Sequence, residues 1–254
     1  MWGQVLHRNK FHENVHSLSS HLMIFRFSFL ILAASLVVSL SGNAATVDIF
    51  MTAGQSNAGS TNHFVFGNIV EKAIKESGKY SNPIVIKTSH GGAAISRWWY
   101  KGEPKRLYLE DFFNPSETED GKLEAAIKEV VANGDTPVFR GLFWWQGESS
   151  KAGIDAAFEK NVKPTNAQIA FEQMISQLDA DLGSTSWSYV LNMVLDRPSN
   201  VNKVLESIAL DNPRAITFDN QSMPYRTKPD DIHGYDHARV GKDNVTAFIA
   251  AFGE

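Results

Sequence analysis

Short apolar runs bounded by turn residues alternate along the chain with longer stretches of helical period. Val47–Ala53, VDIFMTA, is a compact apolar run ending at Gly54, and it predicts a buried strand feeding a tight turn. A helix is predicted over Asn68–Ser77, with Asn68 and Glu71 at capping-box spacing and Ile69, Val70, Ala73 and Ile74 on one face. Pro83 then introduces a strand over Ile84–Thr88. The same alternation recurs three times. Helix Lys122–Ala132, stopped by Gly134, precedes strand Val138–Trp144; helix Asn166–Leu182, stopped by Gly183, precedes strand Trp187–Val194; helix Val201–Leu210, begun by Asn200 and ended before Pro213, precedes strand Ala215–Phe218. A last helix, His237–Ala251, closes the chain. Strands separated by helices in this order predict an α/β fold, a three-layer α/β/α sandwich around one central, mostly parallel five-stranded sheet. Tyr100–Asp120 and Ser149–Pro164 fit neither period and read as irregular segments of the kind that rim functional sites.

The N-terminal pattern is different. Phe27–Leu40, FSFLILAASLVVSL, is an uncharged apolar run preceded by Arg26 and followed by SGNAA, the layout of a secretory signal peptide. It is shorter than the about 20 residues that a spanning helix needs. Cleavage is expected after Ala44 or Ala45, leaving 45–254 as one domain, with no membrane span, in a secreted or periplasmic location. Met1–Leu22 is polar, carries four of the eight histidines and resembles no signal n-region, which points to Met23 as the start. Loss of residues 1–44 removes Arg8, Lys10, Arg26 and Glu13, leaving 21 basic against 27 acidic residues, a balance of −6. Such a surface has no electrostatic footprint for nucleic acid or anionic membrane. With no cysteine in the chain, disulfides, thiolate-metal sites and a cysteine nucleophile are excluded.

Ligand sites of open α/β sheets form beyond the carboxyl ends of the strands. Four unusual segments fall there: GQSN (Gly54–Asn57), SHGGAAISRWW (Ser89–Trp99), WWQGES (Trp144–Ser149) and, before the final helix, DDIH (Asp230–His233). Ser56 follows a strand and a glycine, where a hydroxyl can project from a tight turn; a serine nucleophile needs a base. Of the histidines that survive processing, His63, His90, His233 and His237, only His233 has a carboxylate three residues upstream, Asp230, with Asp231 an adjacent competitor. That acid would fix the ring's tautomer and stabilise the imidazolium of acyl transfer. Oxyanion donors are available in the backbone of Gly91 and Gly92 and the side-chain amide of Gln146. Taken singly, each of these has a plainer reading: a helix-capping serine, a surface ion pair, a Gly-Gly turn, a satisfied core glutamine.

Together, GQSN, the Gly-Gly segment ending in Trp98, W-x-Q-G-E and the terminal D-x-x-H resemble the SGNH hydrolase superfamily, whose fold is flavodoxin-like. More narrowly they resemble its sialate O-acetylesterase-like branch, which includes the family-six carbohydrate esterases, over Val47–Phe252. The resemblance implies Ser56 as nucleophile and part of the oxyanion hole, Gly91 or Gly92 and Gln146 as further oxyanion donors, and His233 with Asp230 as base and partner. Glu148 lies close to the histidine in that branch and would assist or replace Asp230. Ala58 stands where methionine often follows GQSN. Gln55, Asn57, Arg97, Trp98 and Trp145 are candidates for substrate contact, Arg97 through a sugar carboxylate and the tryptophans by stacking. Strand alternation sends Trp144 and Trp145 to opposite faces, so core packing competes with that role. The implied substrate is an acetylated carbohydrate, hydrolysed without metal or organic cofactor. A carbohydrate-binding protein without turnover, and an arylesterase or lipase-like enzyme of the same superfamily, are the alternative readings.

Overall fold

A computed structural model describes residues 44–59, 65–89, 91–92, 94–95, 99–100, 103–104, 122–162, 165–194, 199–222, 224–228 and 233–253. In chain order the elements are β1 (Thr46–Gly54), α1 (Val65–Ser77), β2 (Ile84–Lys87), β3 (Trp99–Tyr100), β4 (Glu103–Pro104), α2 (Lys122–Ala132), β5 (Thr136–Trp145), α3 (Lys151–Glu159), α4 (Asn166–Leu182), β6 (Ser188–Asn192), α5 (Asn200–Asp211), β7 (Ala215–Phe218) and α6 (His237–Phe252). A 3-10 turn, Glu148–Ser150, joins β5 to α3.

Five strands form one sheet in the order β2-β1-β5-β6-β7, and every pairing in it is parallel. β3 and β4 form a separate two-residue antiparallel ladder. β1 is buried along nearly its whole length and β5 over its last half, Gly141–Trp145, which is what a parallel sheet covered on both faces demands of its sequence. Alternation along β5 divides the core. Phe143 and Trp145 point to the α1 and α6 side, packing on Phe248 and Phe66, while Trp144 points to the other side and packs on Phe171 of α4. This is an α/β/α sandwich with its switch in strand order between β1 and β5, where chain connections leave the sheet in opposite directions and a crevice opens.

Local chemistry explains where the helices begin and end. Thr165 caps α4 by accepting from the Gln168 N–H at 3.2 Å, and Gly183, in left-handed conformation, ends it. Three boundaries differ from the sequence expectation. α1 starts at Val65, so Asn68 lies inside the helix and makes no capping box; Glu71 instead pairs with Lys75 and Lys87. α5 is capped by Ser199 rather than begun by Asn200 alone, the Ser199 hydroxyl accepting from the Val201 N–H. Ser149–Pro164, expected to be irregular, contains the end of the 3-10 turn and α3, a helix that buries only Ile154.

Candidate active site

Gly54 ends β1 with φ 140°, and a Cβ there would lie 2.0 Å from the Trp145 carbonyl oxygen. Only glycine can bring β1 this close to the end of β5. The chain then turns at once: the N–H groups of Ala58 and Gly59 both donate to the Gln55 carbonyl. Gln55 itself is buried, its N–H donating to Trp145 O at 3.0 Å and its side-chain oxygen accepting from the Gly147 and Ser149 N–H groups. Its expected role in substrate contact is corrected on this ground, because the side chain is consumed in tying the β1 turn to the β5 turn. Ser56 stands half-buried at the crest of that turn.

His233 arrives from the opposite side of the crevice. The Gly234 carbonyl accepts from the N–H groups of Thr227 and Lys228, the Asp236 N–H donates to Tyr225 O, and Arg226 and Tyr235 form an isolated antiparallel bridge. This short clasp holds His233 just ahead of α6, whose first turn is capped by Asp236 accepting from the Arg239 N–H. Behind it Tyr235 packs edge-on to Trp145 at 5.0 Å, and Arg226 lies over the Tyr235 ring at 4.6 Å.

A cavity of about 320 Å³ sits between these two loops, lined by Ser56, Asn57, Gly59, Val65, Phe66, His233 and His237. Ser56 and His233, separated by most of the domain in sequence, thus face the same space beyond the carboxyl ends of β1 and β5. Asn57 is 1 % exposed and links the two loops to a carboxylate. Its Nδ2 donates to Glu148 Oε1 at 2.7 Å, and its Oδ1 lies 3.3 Å from His233 Nδ1. Glu148 as a residue is half-buried, yet its Oε2 is closed off from solvent and has no hydrogen-bond partner among the described residues. Burial raises the Glu148 pKa above the usual carboxylate value, against the pull of its own backbone N–H, the Asn57 amide and the nearby Arg226 charge. His237, half-buried against Trp145 at 5.5 Å, is pushed the other way: burial lowers its pKa, helped by its neighbour His233.

Other expected site residues fall elsewhere. Trp145 is fully buried against Phe66, Tyr235 and His237, so its ring has no face left for a sugar, and stacking by this residue is corrected to core packing. Asn57 is likewise too buried for the substrate contact expected of it. Gly91 and Gly92 form an exposed turn with open space around their Cα atoms and do not line the cavity; Gly92 has φ 67°. Gln146 is buried beside a separate cavity of about 20 Å³ between β5 and α5. Asp230, Asp231, Arg97 and Trp98 lie outside the described residues. The sequence sets His237 aside in favour of His233, and gives no sign of the apolar wall of Val65 and Phe66. The spacing of His237, four residues after His233 at the head of a helix, was the available signal. Among the described residues no group of three or more histidine, aspartate or glutamate side chains could hold a metal ion, and no helix is long and apolar enough to cross a membrane.

Neither a protein-family model nor a curated protein matches the chain. Similarity to solved structures is found instead. A protein from Arabidopsis thaliana superposes with a TM-score of 0.52 at 16% identity, over 81% of this chain and 98% of that one. An alpha/beta hydrolase enzyme from the metagenome of Lake Arreo, Spain, gives 0.41 at 12% identity, over 83% and 97%. At 16% identity the likeness to the Arabidopsis protein is one of fold.

Proposed function

We propose that this protein is a serine ester hydrolase of the SGNH type that removes acetyl groups from carbohydrate hydroxyls, and that it acts after export. The observation that supports this reading is the one cavity, beyond the ends of β1 and β5, that Ser56 and His233 both line. A hydroxyl and an imidazole brought to one water-accessible space are the minimum parts of acyl transfer. Ser56 Oγ attacks the acetyl carbonyl while His233 takes its proton; the proton passes to the departing sugar oxygen, and water, activated by the same ring, releases acetate. The side chains of Val65 and Phe66 give the cavity an apolar wall against which an acetyl methyl group can pack. The choice of carbohydrate rests on the likeness of GQSN and W-x-Q-G-E to the sialate O-acetylesterase-like branch.

Acetate release from defined acetylated glycans, compared with hydrolysis of 4-nitrophenyl esters of increasing chain length, tests the proposal. Wild-type protein is expected to prefer acetyl esters, and Ser56→Ala to fall by at least about 1,000-fold in kcat. Equal rates for wild type and Ser56→Ala remove Ser56 from the chemistry, and faster turnover of long acyl chains replaces the carbohydrate reading with a lipase-like one.

A further inference from the structure

We propose that Asn57, oriented by Glu148, sets the tautomer of His233 and is a positioning residue for the base, taking the part that the sequence pattern assigned to Asp230. The inference rests on the reading of Ser56 and His233 as nucleophile and base. A primary amide has two ends of similar shape, one donating and one accepting. Asn57 Nδ2 meets Glu148 Oε1 at 2.7 Å, and a carboxylate oxygen accepts, so the nitrogen end of the amide is fixed there. The oxygen end is thereby turned to His233 Nδ1, 3.3 Å away. A carbonyl oxygen only accepts, so the ring nitrogen facing it carries the hydrogen. His233 is then the Nδ1–H tautomer, and Nε2 keeps the lone pair that a base needs.

The polarity survives the reaction. When Nε2 takes the Ser56 proton, the ring becomes imidazolium and its Nδ1–H still donates to Asn57. No proton travels along the chain: Ser56 Oγ loses one, His233 Nε2 gains it and passes it to the leaving oxygen, and Asn57 and Glu148 end as they began. The opposite amide orientation would place an NH2 group against the ring and select the Nε2–H tautomer, which cannot accept from serine. At 1 % exposure Asn57 is sealed from solvent, which suits an orienting role better than contact with substrate.

The test uses the full chain, 15N-labelled, with the His233 signal identified by its loss in His233→Gln. Two-bond 15N–1H spectra of the neutral ring report the tautomer directly. Wild type is expected to show Nδ1–H. Asn57→Leu is expected to shift toward Nε2–H and to lose about 100-fold in kcat on 4-nitrophenyl acetate with KM little changed. Glu148→Gln, whose NH2 allows the Asn57 amide to turn over, is expected to give a mixed tautomer and a loss of about tenfold. A wild-type ring that is Nε2–H overturns the proposal without any Asn57 variant, as does Asn57→Leu with unchanged kcat. Should Asn57→Leu not fold, the wild-type spectrum and Glu148→Gln decide. Undiminished activity in Ser56→Ala defeats the esterase reading alone, since the His233 tautomer is still read from its spectrum.

Discussion

Gly54 and Glu148 show how much the crevice asks of single residues. Adding one methyl at position 54 places it 2.0 Å from the Trp145 carbonyl oxygen, on a backbone with φ 140°. Gly54→Ala therefore has to part β1 from β5 at the site, and a loss of roughly 3 kcal/mol in urea unfolding is expected, with activity falling as Ser56 moves. Glu148 carries a different cost. Burial holds its pKa above the usual 4.5, so between 4.5 and the raised value the folded chain keeps a proton there that the unfolded chain gives up, and above that window Glu148 is the carboxylate that accepts from Asn57. Its favourable contribution is complete below about pH 4.5 and is lost as pH rises through the raised value. Glu148→Gln should accordingly melt higher than wild type near pH 8 while working more slowly, a pairing of gain and loss that melting curves and rates on the same samples will check. His237 has the reverse sign. Its pKa is lowered from 6.5, so its contribution is present above that value and lost as pH falls below it. The decline in Tm on acidification is expected to be shallower in His237→Gln.

At the scale of elements, stop signals decided what could be read. α2 and α4 were legible to the residue because Gly134 and Gly183 end their chains of helical period, and β7 because Pro213 and a short apolar run bracket it. Capping at Thr165 gives a direct measure of such signals: Thr165→Ala should cost about 1 kcal/mol, seen as a lower urea midpoint with unchanged slope. α1 was read too short because Gly67, a poor helix former, lies near its start; tertiary contact outweighs propensity there, Phe66 and Gly67 both being buried. α3 is not visible in the sequence because nine residues with Gly153 in the first turn and one buried side chain make too weak an apolar stripe, and its place is set by packing on α4 and α5. The crevice follows the same division. That Ser56 and His233 line one cavity is readable from their positions after a strand and before the last helix. The burial of Gln55, Asn57 and Trp145 was not, because it depends on which side chains cover the strand ends, and strand alternation gives a face without saying how well that face is covered.

The whole molecule hangs on β1, the second strand of the sheet and the first of the domain. Ala45 precedes it, its N–H donating to Asp135 Oδ1 at 3.1 Å and its carbonyl accepting from the Thr136 N–H at 2.8 Å, so the entry to β1 is fastened to the turn before β5. Under the proposal of export, the products of the two cleavage points differ in whether they keep this contact. Removal of residues 1–44 converts the Ala45 N–H into an ammonium group facing the Asp135 carboxylate, a charge-assisted version of the existing bond. Removal of Ala45 as well would discard both bonds. Cleavage after Ala44 is therefore expected to leave the more stable domain, and sequencing of the exported protein for a first residue of Ala45 checks whether processing keeps these bonds. Asp135→Asn should lower the stability of chains that begin at Ala45 by about 0.5–1 kcal/mol, the range of a partly exposed ion pair, and leave the unprocessed chain nearly unchanged. A first residue of Thr46, or equal effects of Asp135→Asn on both forms, would show that the Ala45 amine is not held by charge at the edge of the sheet.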